Sequence, residues 1–184
     1  SQRCEDPSCV ALFASSAEGV SIESRRMMDL HSAGSIRLDG VPAADIVWLT
    51  GDDVEGGIQQ TFDQATIVLA AEIMGSAREV LERTVAYLGE REQFDVKLGT
   101  FQALQHRCAH MYCELELAES AVSAALTALD HGAPNVSLLA SSAKALANDC
   151  FTLISSEAVQ LHGGMGVTEA VSYTHLTLPT RCLV

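Results

Sequence analysis

The chain has 184 residues, 48% of them hydrophobic, and carries a formal net charge of −13 from 24 acidic and 11 basic side chains. That apolar share supports a packed core and excludes a disordered chain. The acidity repels phosphate backbones and anionic lipid, so neither nucleic acid nor a membrane surface is an expected partner.

The length suits one domain, or one domain plus part of another. The chain opens at Ser1 without a methionine, which reads as a fragment or a processed product. No run of about 18 apolar residues signals a membrane span. Residues 1 to 9 are polar and do not form a signal peptide. The six cysteines, Cys4, Cys9, Cys108, Cys113, Cys150 and Cys182, include no C-x-x-C pair. Cys108 and Cys150 fall on apolar helical faces, where a thiol acts as a small hydrophobe, so the expected setting is a reducing cytoplasm.

In chain order, residues 1–56 read as strand and turn. Val10–Ala14 is a short apolar run, and Val20–Ser24 and Ser35–Asp39 alternate apolar with polar residues. Asp39-Gly40 marks a turn, and Pro42 and Gly51-Asp-Asp lead out. Three such strands cannot bury both faces alone, so this part belongs to a larger sheet or leans on helices.

From about Gly57 the pattern turns helical, with Phe62, Leu69, Ile73, Ala77, Val80, Thr84 and Leu88 on one face. About 32 residues at 1.5 Å each predict a helix roughly 48 Å long. A second helix is expected from about Thr100 to Asp130. Its stripe of Phe101, Leu104, Cys108, Met111, Leu115, Ala118, Val122, Ala125 and Leu129 steps by three and four, as antiparallel bundle helices do. Gly132 and Pro134 end it. A third helix starts near Asn135, a candidate N-cap, and presents Val136, Leu139, Ala143, Leu146, Cys150, Leu153 and Leu161.

Two stretches stand out chemically. Residues 87–113 form a corner between the first two helices, holding a short turn with Gly99 and rich in arginine, glutamine, histidine and aromatic residues. The cations Arg91, Lys97 and Arg107, scarce in so acidic a chain, share this window. Donors and flat side chains together suit a flat, anionic ligand, although turns are commonly polar in any protein. The second stretch, His162-Gly-Gly-Met-Gly166, has more glycine than a helix stop needs, which permits close approach of a ligand to backbone. It follows no strand, so it is not a Rossmann phosphate loop. A helix C-terminus carries partial negative charge, so a ring or ribose suits it better than a phosphate alone. The closing Val171–Val184 has neither periodicity nor a partner strand and reads as foreign to the fold.

Three features carry a family resemblance over residues 9–170. Val10 to Val41, with its Gly-Val-Ser-Ile and Asp-Gly-Val steps, resembles the late β strands of the acyl-CoA dehydrogenases. Arg91-Glu-Gln-Phe94, followed by Phe101-Gln102, Gln105 and His106, resembles that family's arginine/glutamine corner. Gln160-Leu-His-Gly-Gly-Met-Gly-Val-Thr-Glu169 resembles its Gln-x-x-Gly-Gly motif. The resemblance implies a mainly α fold with a small β part: an antiparallel long-helix bundle preceded by a fragment of a β barrel. The implied division is 1–56 for the end of the middle β domain, 57–170 for an incomplete helical bundle domain, and 171–184 for a non-family tail resembling out-of-frame or adapter sequence.

The resemblance also implies FAD bound across a subunit interface in a tetramer. Arg91, Gln93, Phe94, Phe101, Gln102, Gln160, Gly163 and Gly164 are the implied cofactor-binding residues. Arg91 pairs with pyrophosphate, Gln102 bonds ribose or adenine, and Phe101 stacks. The implied reaction is α,β-dehydrogenation of an acyl-CoA thioester, with electrons leaving to an electron-transfer flavoprotein.

The chain departs from the pattern on the substrate side. No catalytic base is present, because the usual Glu-Gly-Thr segment would lie beyond the Gly-Gly motif. Ala65 occupies the alternative base position, Thr66 a common arginine position, and His110 a common aspartate position. Asp63 matches a position that helps hold CoA. Two other readings stand beside the enzyme: a base-less partner in a pair of unlike subunits, and a helical interaction module without cofactor. Three long helices expecting further neighbours also predict poor behaviour of the 184-residue chain alone.

Overall fold

The computed structural model describes residues 9–27 and 32–167, apart from the side chains of Asp52 and Val167. The chain divides into two compact units, residues 1–61 and 62–184, each described separately.

The first unit is built of short antiparallel pairs. Strand β1 (Val10–Phe13) pairs with β4 (Ile46–Leu49), and β2 (Val20–Arg26) with β3 (Ser32–Leu38). Ile22 faces its cross-strand partner Ile36, and both are exposed. Strand β4 was not among the expected strands. Its run Ile-Val-Trp-Leu is β-branched and aromatic, but it is short and lies between turn signals that mask it. Gly19 is required by the turn before β2: its φ is +82°, and a Cβ there would fall 2.2 Å from the Asp39 carbonyl oxygen.

The second unit is a bundle of three long helices. Helix α1 spans Asp52–Glu90, 39 residues and so about 58 Å. It begins five residues before the expected Gly57. Gly56 and Gly57 depress helix propensity by about 1 kcal/mol each, which hides the true start. The carboxylates of Asp53 and Glu55 lie in the first turn, where the helix dipole favours them. Helix α2 is Gln102–Asp130 and α3 is Val136–His162. Gly132 (φ +60°) closes α2, with the Ala133 amide donating to the Ala128 carbonyl at 2.9 Å, a glycine stop as expected. Asn135 occupies the N-cap position of α3, but its side chain makes no capping hydrogen bond.

The core comprises Ile67, Met74, Val80, Leu81 and Leu88 from α1, Met111, Leu115 and Val122 from α2, and Phe151, Ile154 and Leu161 from α3. Buried alanines, among them Ala70, Ala77, Ala118, Ala125, Ala143, Ala147 and Ala158, let the backbones approach closely. The α2 stripe is as expected at its centre. On α1 the expected face holds from Ala77 through Val80, Thr84 and Leu88, all buried, but fails nearer the start, where Phe62 (65% exposed) and Leu69 point outward while Ile67, Ala70 and Met74 point inward. Leu146 of α3 is likewise exposed, and Ala147 is buried beside it. A helix with apolar residues on more than one side has an ambiguous stripe until its neighbours are known.

Ion pairs tie the helices laterally. Arg78 of α1 donates to Glu119 and, at 3.2 Å, to Glu116 of α2; Glu119's hydrogen bond, then that of Glu116, raises the guanidinium pKa further. Arg107 of α2 donates to Glu157 of α3 at 2.5 Å. Taken with the short connections between successive helices, these contacts place α2 antiparallel to both neighbours, with α1 and α3 parallel.

Candidate functional site at one end of the bundle

The corner after α1 is a miniature hairpin, where a simple turn was expected. Strands β5 (Glu92–Gln93) and β6 (Val96–Lys97) pair antiparallel, with Phe94 and Asp95 at the tip. Both tip residues have positive φ, 58° and 62°. That is the backbone of a tight primed hairpin turn, which normally favours Asn-Gly. Without those residues in the sequence, this hairpin carries no turn signal.

Several contacts brace the corner. The Arg91 amide donates to the Tyr87 carbonyl at 2.8 Å, and the Leu98 amide donates to the Arg91 carbonyl at 2.9 Å. A single turn of 3-10 helix, Leu98–Thr100, leads into α2. Gly99 presses against α1: a Cβ there would sit 3.1 Å from the Leu88 carbonyl oxygen. The Gln105 amide nitrogen donates to the Gly99 carbonyl at 2.8 Å, so Gln105 supports the corner from within.

The side chains expected to bind are displayed on this frame. Arg91, Gln93, Phe94, Phe101, Gln102 and Gln160 are all exposed. Phe94 is 85% exposed and meets Phe101 edge to face, with ring centroids 6.3 Å apart. Gln93 folds back to donate to the Glu92 carbonyl at 2.8 Å. Arg107, one of the three cations of the window, is committed to Glu157, leaving Arg91 and Lys97 as the cations of the corner.

The glycine-rich segment lies at the same end. The rings of Tyr87, one helical turn before Arg91, and His162, the residue before Gly163, stack with centroids 4.3 Å apart and planes 21° apart. The structure therefore brings together the two motifs that are about 70 residues apart in sequence. Gly163 (φ +58°) lets the chain leave α3 and donates its amide to the Gln160 carbonyl. Gly166 is packed so closely that a Cβ would fall 2.6 Å from the Val159 carbonyl oxygen. Gly164 has neither a positive φ nor any neighbour within 4 Å of a Cβ among the described residues. The fold itself thus explains Gly163 and Gly166 and leaves Gly164 open. Tyr87 and His162 open the two stretches marked in the sequence, but neither was given a role of its own there.

Asp63 is placed elsewhere. It is 8% exposed and accepts a 2.5 Å hydrogen bond from the Ser137 hydroxyl, tying the start of α3 to α1. It lies 24 residues before Tyr87 on α1, about 36 Å along the axis. Ala65 is exposed and Thr66 half-buried on the same stretch.

The Cys150 thiol is pushed up to about 11, by burial first and then by the negative charges of Glu114 and Glu119. Burial also raises Cys108, against a lowering by Arg107. Neither thiol is activated as a nucleophile.

The sequence model of the acyl-CoA dehydrogenase C-terminal domain matches residues 56–183. That match runs across most of the 171–184 stretch read as foreign, which lies outside the described residues. The chain is 38% identical over 118 residues to the acyl-CoA dehydrogenase IpdE2 of Mycolicibacterium smegmatis, covering 64% of this chain and 34% of that one. Among solved structures, a variant of the Tcur3481–Tcur3483 steroid ACAD aligns with a TM-score of 0.75 at 34% identity, over 91% of this chain and 44% of that one. Butyryl-CoA dehydrogenase from Megasphaera elsdenii aligns with a TM-score of 0.78 at 26% identity, over 87% and 43%. The chain spans about a third of the length of the curated relative and under half of each solved chain. With the helical bundle and the paired motifs in place, the chain belongs to the acyl-CoA dehydrogenase family, residues 56–183 forming its C-terminal domain.

Proposed function

We propose that this chain supplies one wall of an FAD site in an enzyme that dehydrogenates acyl-CoA thioesters, and that another subunit completes the site. The observation that carries this reading is the shared location of the Arg91 corner and the Gly163-Gly164 exit, joined by the Tyr87–His162 stack.

The residues fit the group. Arg91 is an exposed, permanently charged fork with no side-chain partner among the described residues, suited to pyrophosphate oxygens. Phe94 and Phe101 present aromatic faces to an adenine, and Gln102 and Gln160 add neutral donors and acceptors. Gly164 leaves room for close approach at the exit from α3. When bound, FAD supplies the hydride chemistry; the residues named here bind and orient it.

A partner subunit is needed for a geometric reason. Asp63, Ala65 and Thr66, which match substrate-side positions, lie about 36 Å along α1 from the corner. A single chain thus presents its cofactor surface and its substrate surface at opposite ends. A homotetramer, or a pair of unlike subunits, brings one chain's corner to another chain's substrate end. Ala65 favours the unlike pair as a second reading, in which this chain supports a partner that carries the base. The relative named as a steroid ACAD makes a steroid-derived acyl-CoA a candidate substrate alongside fatty acyl-CoA. An electron-transfer flavoprotein is the proposed electron acceptor.

The test is flavin binding by the intact protein with Arg91→Ala and Arg91→Lys. Arg91 is exposed, so the melting temperature should hold while the Kd for FAD rises about tenfold or more for alanine and less for lysine, which keeps charge but not the fork. Unchanged flavin affinity in Arg91→Ala would remove the reading.

A further inference from the structure

We propose that Tyr87 and His162 form a positioning pair whose stack sets the spacing between the Arg91 corner and the Gly163-Gly164 exit. The consequence for FAD rests on the reading above; the positioning itself does not.

The Gly163-Gly164 segment cannot hold its own place. It has no side chains, and both residues are exposed. What fixes it must be its flanks. On one side, Gly166, in the turn that follows α3, packs against Val159 of α3, which sets the local path but not its relation to α1. On the other, His162 is buried, at 8% exposure, and its Nδ1–H donates to the Ala158 carbonyl at 2.8 Å. That bond fixes the ring against its own helix. The ring then lies face to face with Tyr87 of α1.

Tyr87 is tied to the corner by backbone. Its carbonyl accepts from the Arg91 amide, and the Arg91 carbonyl accepts from the Leu98 amide. A chain of direct contacts thus runs Gly163, His162, Tyr87, Arg91, Leu98. The Arg107–Glu157 pair also joins α2 to α3 near this end, but both its partners are partly exposed. A solvated ion pair tolerates small displacements, whereas stacked rings in a packed site do not. The stack is therefore the contact that fixes the spacing of the two motifs, and a ligand touching both depends on it.

Two measurements on the intact protein test the proposal. In the flavin-free form, Tyr87→Ala should speed amide hydrogen exchange over residues 160–166 about tenfold, with the centre of α2 unchanged. In the flavin titration, Tyr87→Ala and His162→Ala should each raise the Kd about tenfold, and the double variant no further, because either change breaks the same contact. Tyr87→Phe keeps the stack and should stay near wild type. Ile154→Val, a core change away from the stack, controls for stability: it should lower the melting temperature and leave the Kd alone.

The proposal is overturned if exchange over 160–166 does not respond. It is equally overturned if the two alanine variants add independently, or if Ile154→Val weakens flavin binding as much as Tyr87→Ala at a matched loss of stability. Failure of the wild-type protein to bind FAD would remove the cofactor reading instead, leaving the exchange result to decide the positioning.

Discussion

Gly163 and Gly164 stand side by side, yet they answer to different constraints. Gly163 needs its backbone angle, so Gly163→Ala should cost about 1–2 kcal/mol of stability in a denaturant titration. Gly164 has no such need within the chain, so Gly164→Ala should hold stability within about 0.5 kcal/mol while weakening flavin binding. Equal stability losses at the two positions would assign Gly164 to the fold. The sequence shows both as the same letter and cannot separate them; only φ and the space around each do so. The cysteines give a second residue-scale expectation. Exposed Cys113 should react with a thiol reagent in the native state, and buried Cys150 only on unfolding. The folded Cys150 thiol is raised to about 11, above its unfolded value near 9, so its contribution to stability is full below pH 9 and is lost as pH rises from 9 towards 11. A melting temperature that does not fall across that window would contradict this.

Among the elements, α2 was the most legible and the corner hairpin the least. The α2 stripe is read correctly because the helix packs on both neighbours with one apolar seam, centred on Met111, Leu115 and Val122. Leu115→Ala removes a side chain that is 1% exposed and should cost about 2–5 kcal/mol in denaturant. A loss under 1 kcal/mol would mean the seam is packed loosely. Helix α1 was read correctly from Ala77 to Leu88 but not near its start, where Phe62, Val68 and Leu69 form an outward apolar set beside the inward one. The hairpin at Phe94-Asp95 was hidden because Phe94 is an unfavourable residue at positive φ and the turn holds no glycine. Its shape is imposed by the bracing of Arg91, Leu98 and Gly99 rather than by local preference. Of the residues proposed for the site, Arg91, Gln102, Gln160 and Gly164 were readable as candidates from their chemistry. Tyr87 and His162 were not, because a stack between two helix ends has no signature in either helix alone.

On the scale of the whole molecule, the bundle separates the Arg91 corner from the Asp63 region by most of the length of α1. The Ser137–Asp63 and His162–Tyr87 contacts bracket almost the full parallel run of α1 and α3. If FAD is shared between subunits, mild chaotrope should release flavin together with dissociation of the oligomer, before the helices unfold. Static light scattering, flavin fluorescence and far-ultraviolet circular dichroism on one sample would show it. Flavin retained by dissociated, folded subunits would place the site within one chain. Phe62, Leu117 and Leu138 leave large apolar side chains exposed on the bundle.

The sequence by itself determined the helical class, the three-helix order, the glycine stop of α2 and the residue types at the two motifs. Hydrophobic period, glycine placement and charge are local properties, and local properties survive in a linear text. The tertiary structure decided which side of the early turns of α1 faces inward, that Arg107 is spent on Glu157, and that the corner and the Gly-Gly exit share one end. Those depend on contacts between residues far apart in the chain, whose free energy exists only once the helices have packed.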